Sequence, residues 1–276
     1  MKNIINGLFG FFQIVKNKLR KIRDYKYYQF YPNNPRHDDV YIVEFPKSGV
    51  TWLSTLIANI NLQISNKTKE NITFYNIHQY VPDIHTSLDI SYSPPWSVPN
   101  FRFIKSHDVH NKNYNFVIYI IRNPLNVMNS YYIFIKQLGG FNGTFDSFVK
   151  HPQLGIEAWL NHVNSWLDRG PTSQKLHLVK YESLVKQPLE EMKKIYENLG
   201  LSINDSILLK SINYSDINNM IITEQYHKNN NPNYLNFQFI GQGKITYEIN
   251  MTNETEKYIY QKVKNNKIYK KLYENF

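Results

Sequence analysis

VYIVEFPKSGVTWLSTLIANI, Val40–Ile60, is the stretch whose reading decides the fold. Val40–Phe45 is a short run of β-branched and aromatic residues, the pattern of a buried strand. Pro46–Gly49 breaks it. From Thr51 to Asn61 the apolar residues Leu53, Leu56, Ile57 and Ile60 recur at helical spacing. Strand, small-residue loop and helix in that order form the opening unit of a parallel α/β fold. The loop and the helix start offer unpaired backbone N–H groups and the positive end of the helix dipole, which together make an anion site. Lys47 adds a charge there, and Ser48 and Thr51 add hydroxyls. The Gly-Lys-Ser/Thr ending of a nucleoside-triphosphate loop is absent.

Outward from this unit, further strands are expected at Phe101–Ile104, Phe116–Ile121 and Leu176–Tyr181. Helices are expected at about 125–136, 155–169, 188–199, 203–211, 215–224 and 252–264. The helix from Pro188 is the best marked, with Glu190 and Glu191 in its first turn and Gly200 just past its end. Residues 61–100 are polar and Pro-punctuated and read as long loops with room for one helix, equally a substrate-side lid or a plain surface excursion. Strands alternating with helices imply one α/β domain over residues 40–276. Its central parallel sheet is flanked by helices, and its first unit is a P-loop-like strand–loop–helix. Ahead of it, residues 24–39 read as a linker. Residues 4–23 read as a basic amphipathic helix, which either packs on the domain or makes peripheral contact with an anionic membrane surface; packing is favoured.

The composition bounds the chemistry. The chain has 276 residues, 42% hydrophobic and 20% charged, which excludes wholesale disorder. It has no cysteine, so disulfides, thiolate nucleophiles and Cys-based metal sites are excluded, and a cytoplasmic setting fits. A net charge of +10 favours anionic ligands, although Lys is overused along the whole chain and most of it reads as solvated surface. No segment is long and apolar enough to span a bilayer.

Three motifs in order then carry a resemblance. FPKSGVTW, Phe45–Trp52, resembles the PKSGTTW donor loop of the cytosolic-type sulfotransferases that use 3′-phosphoadenosine 5′-phosphosulfate (PAPS), with Val50 in place of one Thr. FRFIKSH, Phe101–His107, resembles that family's strand ending in Lys-Thr-His. YIIRNPLNVMNSYY, Tyr119–Tyr132, resembles its Arg-Asn-Pro segment, with Arg122 and Ser130 at the family's separation of eight. LGIEAWLNHVNSW (Leu154–Trp166), VKYESLVKQP (Val179–Pro188) and, faintly, Ser215–Glu224 follow in family order.

The resemblance implies roles. Lys47, Ser48, Gly49, Val50, Thr51 and Trp52 would hold the 5′-phosphosulfate, with Lys47 at the bridging oxygen and Trp52 on the adenine. His107 would be the general base, a task suited to an imidazole titrating near neutrality. Lys105 would stabilise charge on the sulfuryl oxygens. Arg122 and Ser130 would grip the 3′-phosphate, and Tyr181 would contact the donor base. In the family a basic stretch with a glycine near the C-terminus completes the 3′-phosphate site. Here FIGQGKITYEINMT, Phe239–Thr252, keeps Gly243 followed by Lys244 but lacks the Arg-Lys pair and the Trp. The implied reaction carries a sulfuryl group from PAPS to a small-molecule or glycan hydroxyl, releases the bisphosphate PAP, and needs neither a metal nor a nucleic-acid partner. Two other classes fit parts of the pattern: a P-loop-type nucleotide kinase or NTPase, and a non-catalytic nucleotide or nucleic-acid binder.

Overall fold

The computed structural model describes residues 35–65, 72–73, 76–85, 101–169, 174–230 and 251–274. The expected helix at 4–23, most of the linker after it and much of the 61–100 loop region lie outside the described residues. Strands β1 (Asp39–Glu44), β2 (Arg102–Ser106), β3 (Phe116–Ile121) and β4 (Lys175–Lys180) form one parallel sheet in the order β2-β1-β3-β4. Helix α1 (Val50–Ile64) follows β1. Helices α2 (Pro124–Gln137), α3 (Phe145–Val149) and α4 (Ile156–Leu167) lie between β3 and β4. After β4 come α5 (Tyr181–Lys186), α6 (Pro188–Asn198), α7 (Asp205–Tyr214), α8 (Ile217–Asn230) and α9 (Asn253–Val263).

All six residues of β1 are buried, as expected for a strand covered on both faces. Its side chains alternate between two cores. Tyr41 and Val43 join Val127 and Met128 of α2 and Trp159 and Val163 of α4. Val40 and Ile42 join Leu53, Leu56 and Ile57 of α1 and Met192 and Ile195 of α6. The strand order reverses at β1: the chain goes to one side of it for β2 and to the other for β3. In an open parallel sheet such a switch opens a crevice beyond the strands' C-terminal ends.

Strand β1 starts at Asp39, one residue before the expected Val40. Asp39 is the first residue of β1 and pairs in register with Arg102, the first residue of β2. The two are bound through Arg102 Nε to Asp39 Oδ1 at 2.6 Å and Nη2 to Oδ2 at 2.7 Å, fully out of water. Two-point geometry compensates such a buried pair and ties the first two strands at their N-terminal ends. Helix α8 runs to Asn230, past its expected end. Helices α3 and α5 were not expected, because five or six residues are too few to show a period. As a result Tyr181, expected at the end of a strand, is instead the first residue of a helix.

Asp39→Ala removes the carboxylate that binds the buried Arg102 guanidinium at two points. The expected cost is about 3–5 kcal/mol of folding stability, read from urea unfolding.

Candidate active site

The crevice is furnished by residues that leave the sheet at one level. His107, Arg122 and Tyr181 are the first residues beyond β2, β3 and β4. Cross-strand register pairs Val43 with Ser106, Glu44 with Ile120 and Ile121 with Lys180, so these exits lie side by side with the loop that follows β1.

That loop is tightly wound. Lys47 has φ +74° and Gly49 has φ +123°, both in the left-handed region. Ser48 turns back on Phe45, its N–H and its hydroxyl both donating to the Phe45 carbonyl, at 3.2 and 2.8 Å. A Cβ on Gly49 would sit 2.4 Å from Cδ2 of Tyr181, so the tyrosine ring lies flush on the loop. The guanidinium of Arg122 is 4.4 Å from the centroid of that ring, and its Nη1 donates to the Lys47 carbonyl at 3.2 Å. Trp52 meets Tyr181 edge-on at 6.2 Å and donates its indole N–H to the Ser215 carbonyl at 2.9 Å. Lys47, Gly49, Trp52, Arg122 and Tyr181 therefore form one assembly. Val50 is buried at the start of α1, Thr51 is half-buried beside it, and Ser130 is buried about two turns along α2. Among the described residues, the N–H groups of Gly49 and Thr51 donate to no partner. Two such amides beside an ammonium and a guanidinium suit a multiply charged anion.

Beside the loop sits His107. Its Nδ1 lies 3.3 Å from the main-chain oxygen of Glu44. A carbonyl oxygen only accepts, so Nδ1 carries the proton and Nε2 is the accepting nitrogen. The His85 ring lies 6.4 Å from the His107 ring, nearly parallel to it, and pairs with Asp108 at 3.1 Å. Lys105 pairs with Asp83 at 3.2 Å. Desolvation pulls the Lys47 ammonium down to about 8, against the pull of Glu44 and with help from Arg122 and Lys105. Burial pushes the Glu44 carboxyl up to about 7, held back by Lys105, Lys47 and the amides it accepts. Burial thus draws these two groups, one carboxyl and one ammonium, toward neutrality.

The family model for the sulfotransferase domain matches residues 37–267. The chain belongs to the sulfotransferase family. Among curated relatives it is similar to Sulfotransferase 1E1 of Bos taurus, 29% identical over 200 residues, which is 67% of this chain and 66% of that one. The matched stretch is therefore just under two thirds of that relative. Sulfotransferase 2A1 of Mus musculus is 27% identical over 76% of this chain and 73% of its own length. The fold is similar to mouse sulfotransferase SULT7A1 complexed with PAP, with TM-score 0.60, 22% identity, and coverage of 87% and 90% of the two chains. It is also similar to retinol dehydratase in a complex with retinol and PAP, with TM-score 0.59, 17% identity, and coverage of 85% and 83%.

Of the sulfotransferase positions read from the sequence, Gly243 and Lys244 lie outside the described residues. His162, whose place in its motif does not mark it as catalytic, is buried, bonds Tyr119 at 2.8 Å, and is lowered to about 4 by burial. His110 bonds Gln174 at 2.8 Å and packs on Trp166. Glu44, Asp83, His85 and Asp108 were missed. Glu44 had a signal, the lone charge in the apolar run Val40–Phe45, since carboxylates are rarely buried without a task. The other three had none, since short polar residues in loops are ordinary.

Gly49→Ala meets both an unfavourable φ and the Tyr181 ring. It is expected to cost about 2 kcal/mol or more in stability and to lower the melting temperature, measured by calorimetry.

Proposed function

We propose that this protein transfers a sulfuryl group from PAPS to the hydroxyl of a small-molecule or glycan acceptor, with His107 as general base. The observation that carries the reading is that Lys47 of the loop and Lys105 and His107 from a distant stretch of sequence converge on Glu44, while Arg122 closes on the same loop. Family membership supports the reaction class. Complexes of similar folds with PAP, one with retinol and another with androsterone, support the donor and an alcohol acceptor.

The donor supplies an activated sulfur–oxygen bond, and the chain supplies position and charge. The amides of Gly49 and Thr51, with Lys47, would hold the 5′-phosphosulfate. Arg122 would reach the 3′-phosphate as a two-pronged donor, with Ser130 helping from α2. Trp52 and Tyr181 would border the adenine. Nε2 of His107 would take the acceptor proton as its oxygen bonds to sulfur, and the bond from sulfur to the phosphate oxygen breaks. Lys47 and Lys105 would balance charge on the bridging and sulfuryl oxygens. This is the logic of phosphoryl transfer, in which positioning and electrostatics dominate. Among the described residues there is no metal-binding cluster of three or more His, Cys, Asp or Glu, and no helix long and apolar enough to cross a membrane. We read the cysteine-free chain as working in the cytoplasm.

His107→Ala is expected to lower sulfuryl transfer roughly 10²–10⁴-fold with PAP affinity nearly unchanged, measured with labelled PAPS and an acceptor panel. Near-normal turnover would refute the base assignment. Arg122→Ala is expected to weaken PAP binding by about tenfold or more, read by titration calorimetry. Equal affinity would exclude the 3′-phosphate role.

A further inference from the structure

Glu44 is the last residue of β1 and is 2% exposed. Its carboxylate accepts the Val50 N–H at 2.7 Å through Oε2 and the Lys47 N–H at 3.2 Å through Oε1. The same Oε1 lies 3.9 Å from Nδ1 of His107, and the Glu44 main-chain oxygen lies 3.3 Å from that nitrogen. One residue thus touches the loop on one side and the imidazole on the other. An ordinary strand residue at this place would be apolar. A carboxylate here is sustained by charged neighbours and by hydrogen bonds to its oxygens.

We propose that Glu44 is a positioning residue of the transfer site, pinning the donor loop from beneath through two amides and holding the ring and charge of His107. The proposal rests on the sulfotransferase reading above. Bonds to Lys47 and Val50 bracket Ser48 and Gly49, so the loop is held at both ends while the amides of Gly49 and Thr51 remain for a ligand. On the other side, an ionised Glu44 favours imidazolium over imidazole and strengthens the base when it receives the acceptor proton. The groups facing Glu44 are Lys47 from the loop, Lys105 from β2, His107 beyond β2 and Tyr119 from β3. His107 also faces His85, which is paired with Asp108. Burial raises the Glu44 carboxyl to about 7, so its charge develops across the range in which an imidazole titrates.

Two variants separate the roles. Glu44→Ala removes both loop acceptors, whereas Glu44→Gln keeps the shape and one acceptor oxygen but no charge. By titration calorimetry, Glu44→Ala is expected to weaken PAP binding about tenfold and Glu44→Gln by clearly less. The His107 titration is followed by NMR of Cε1-labelled histidine, its signal identified by its loss in His107→Asn. In Glu44→Gln its midpoint is expected to fall by about half a pH unit or more, a shift that a merely structural role would not produce. An unmoved midpoint in Glu44→Gln overturns the proposal, as does wild-type PAP affinity in Glu44→Ala. If Glu44→Ala does not fold, Glu44→Gln carries both measurements: partial loss of PAP affinity with a lowered midpoint supports the proposal, and wild-type affinity overturns it. Failure of the wild-type protein to bind PAP would remove the donor-site reading, and the NMR titration would then decide separately whether Glu44 holds His107.

Discussion

Tyr181 lying flush on Gly49 is the contact on which the geometry of this site turns. A ring can approach the loop that closely only where no Cβ intervenes, and the glycine's positive φ is what turns the loop into α1. The ring then serves as a platform for Arg122, whose other contact is the carbonyl of Lys47. Three segments that exit three different strands are locked by this stack. The lock needs the strands to end at one level, and parallel register with a reversal of order at β1 provides that.

Charge within the site is concentrated and partly self-compensated. Burial, with Arg122 and Lys105 close by, lowers the Lys47 ammonium against the pull of Glu44, while Asp83 pairs with Lys105. Such an arrangement favours a ligand that brings several negative charges and replaces lost water with fixed donors. Burial draws a carboxyl and an ammonium, Glu44 and Lys47, toward neutral pH in the same few ångströms, and their opposite charges hold each shift back. The sheet below is stiff, with two apolar cores and the buried Asp39–Arg102 pair at its far end, so the donors above it are held by a scaffold with little room to yield.

The sequence by itself determined the sulfotransferase character of the chain. Periodicity in Val40–Phe45 and Phe116–Ile121 is local and marked the two central strands; PKSGVTW carried its turn chemistry in its own residues; and the spacing of Lys105 from His107 put both at the C-terminal end of β2. Tertiary structure alone decided the rest. It placed Tyr181 at the head of a helix rather than in a strand, because a six-residue helix has too little period to announce itself. It also decided that Glu44 would lie beneath the loop and beside His107, and that His85 and Asp108 would stand behind that imidazole. A side chain's own type sets which bonds it can make, but several of its partners come from strands and loops tens of residues away, as His107 does for Glu44 and His85 for Asp108. Only the packing of the sheet brings those partners within reach.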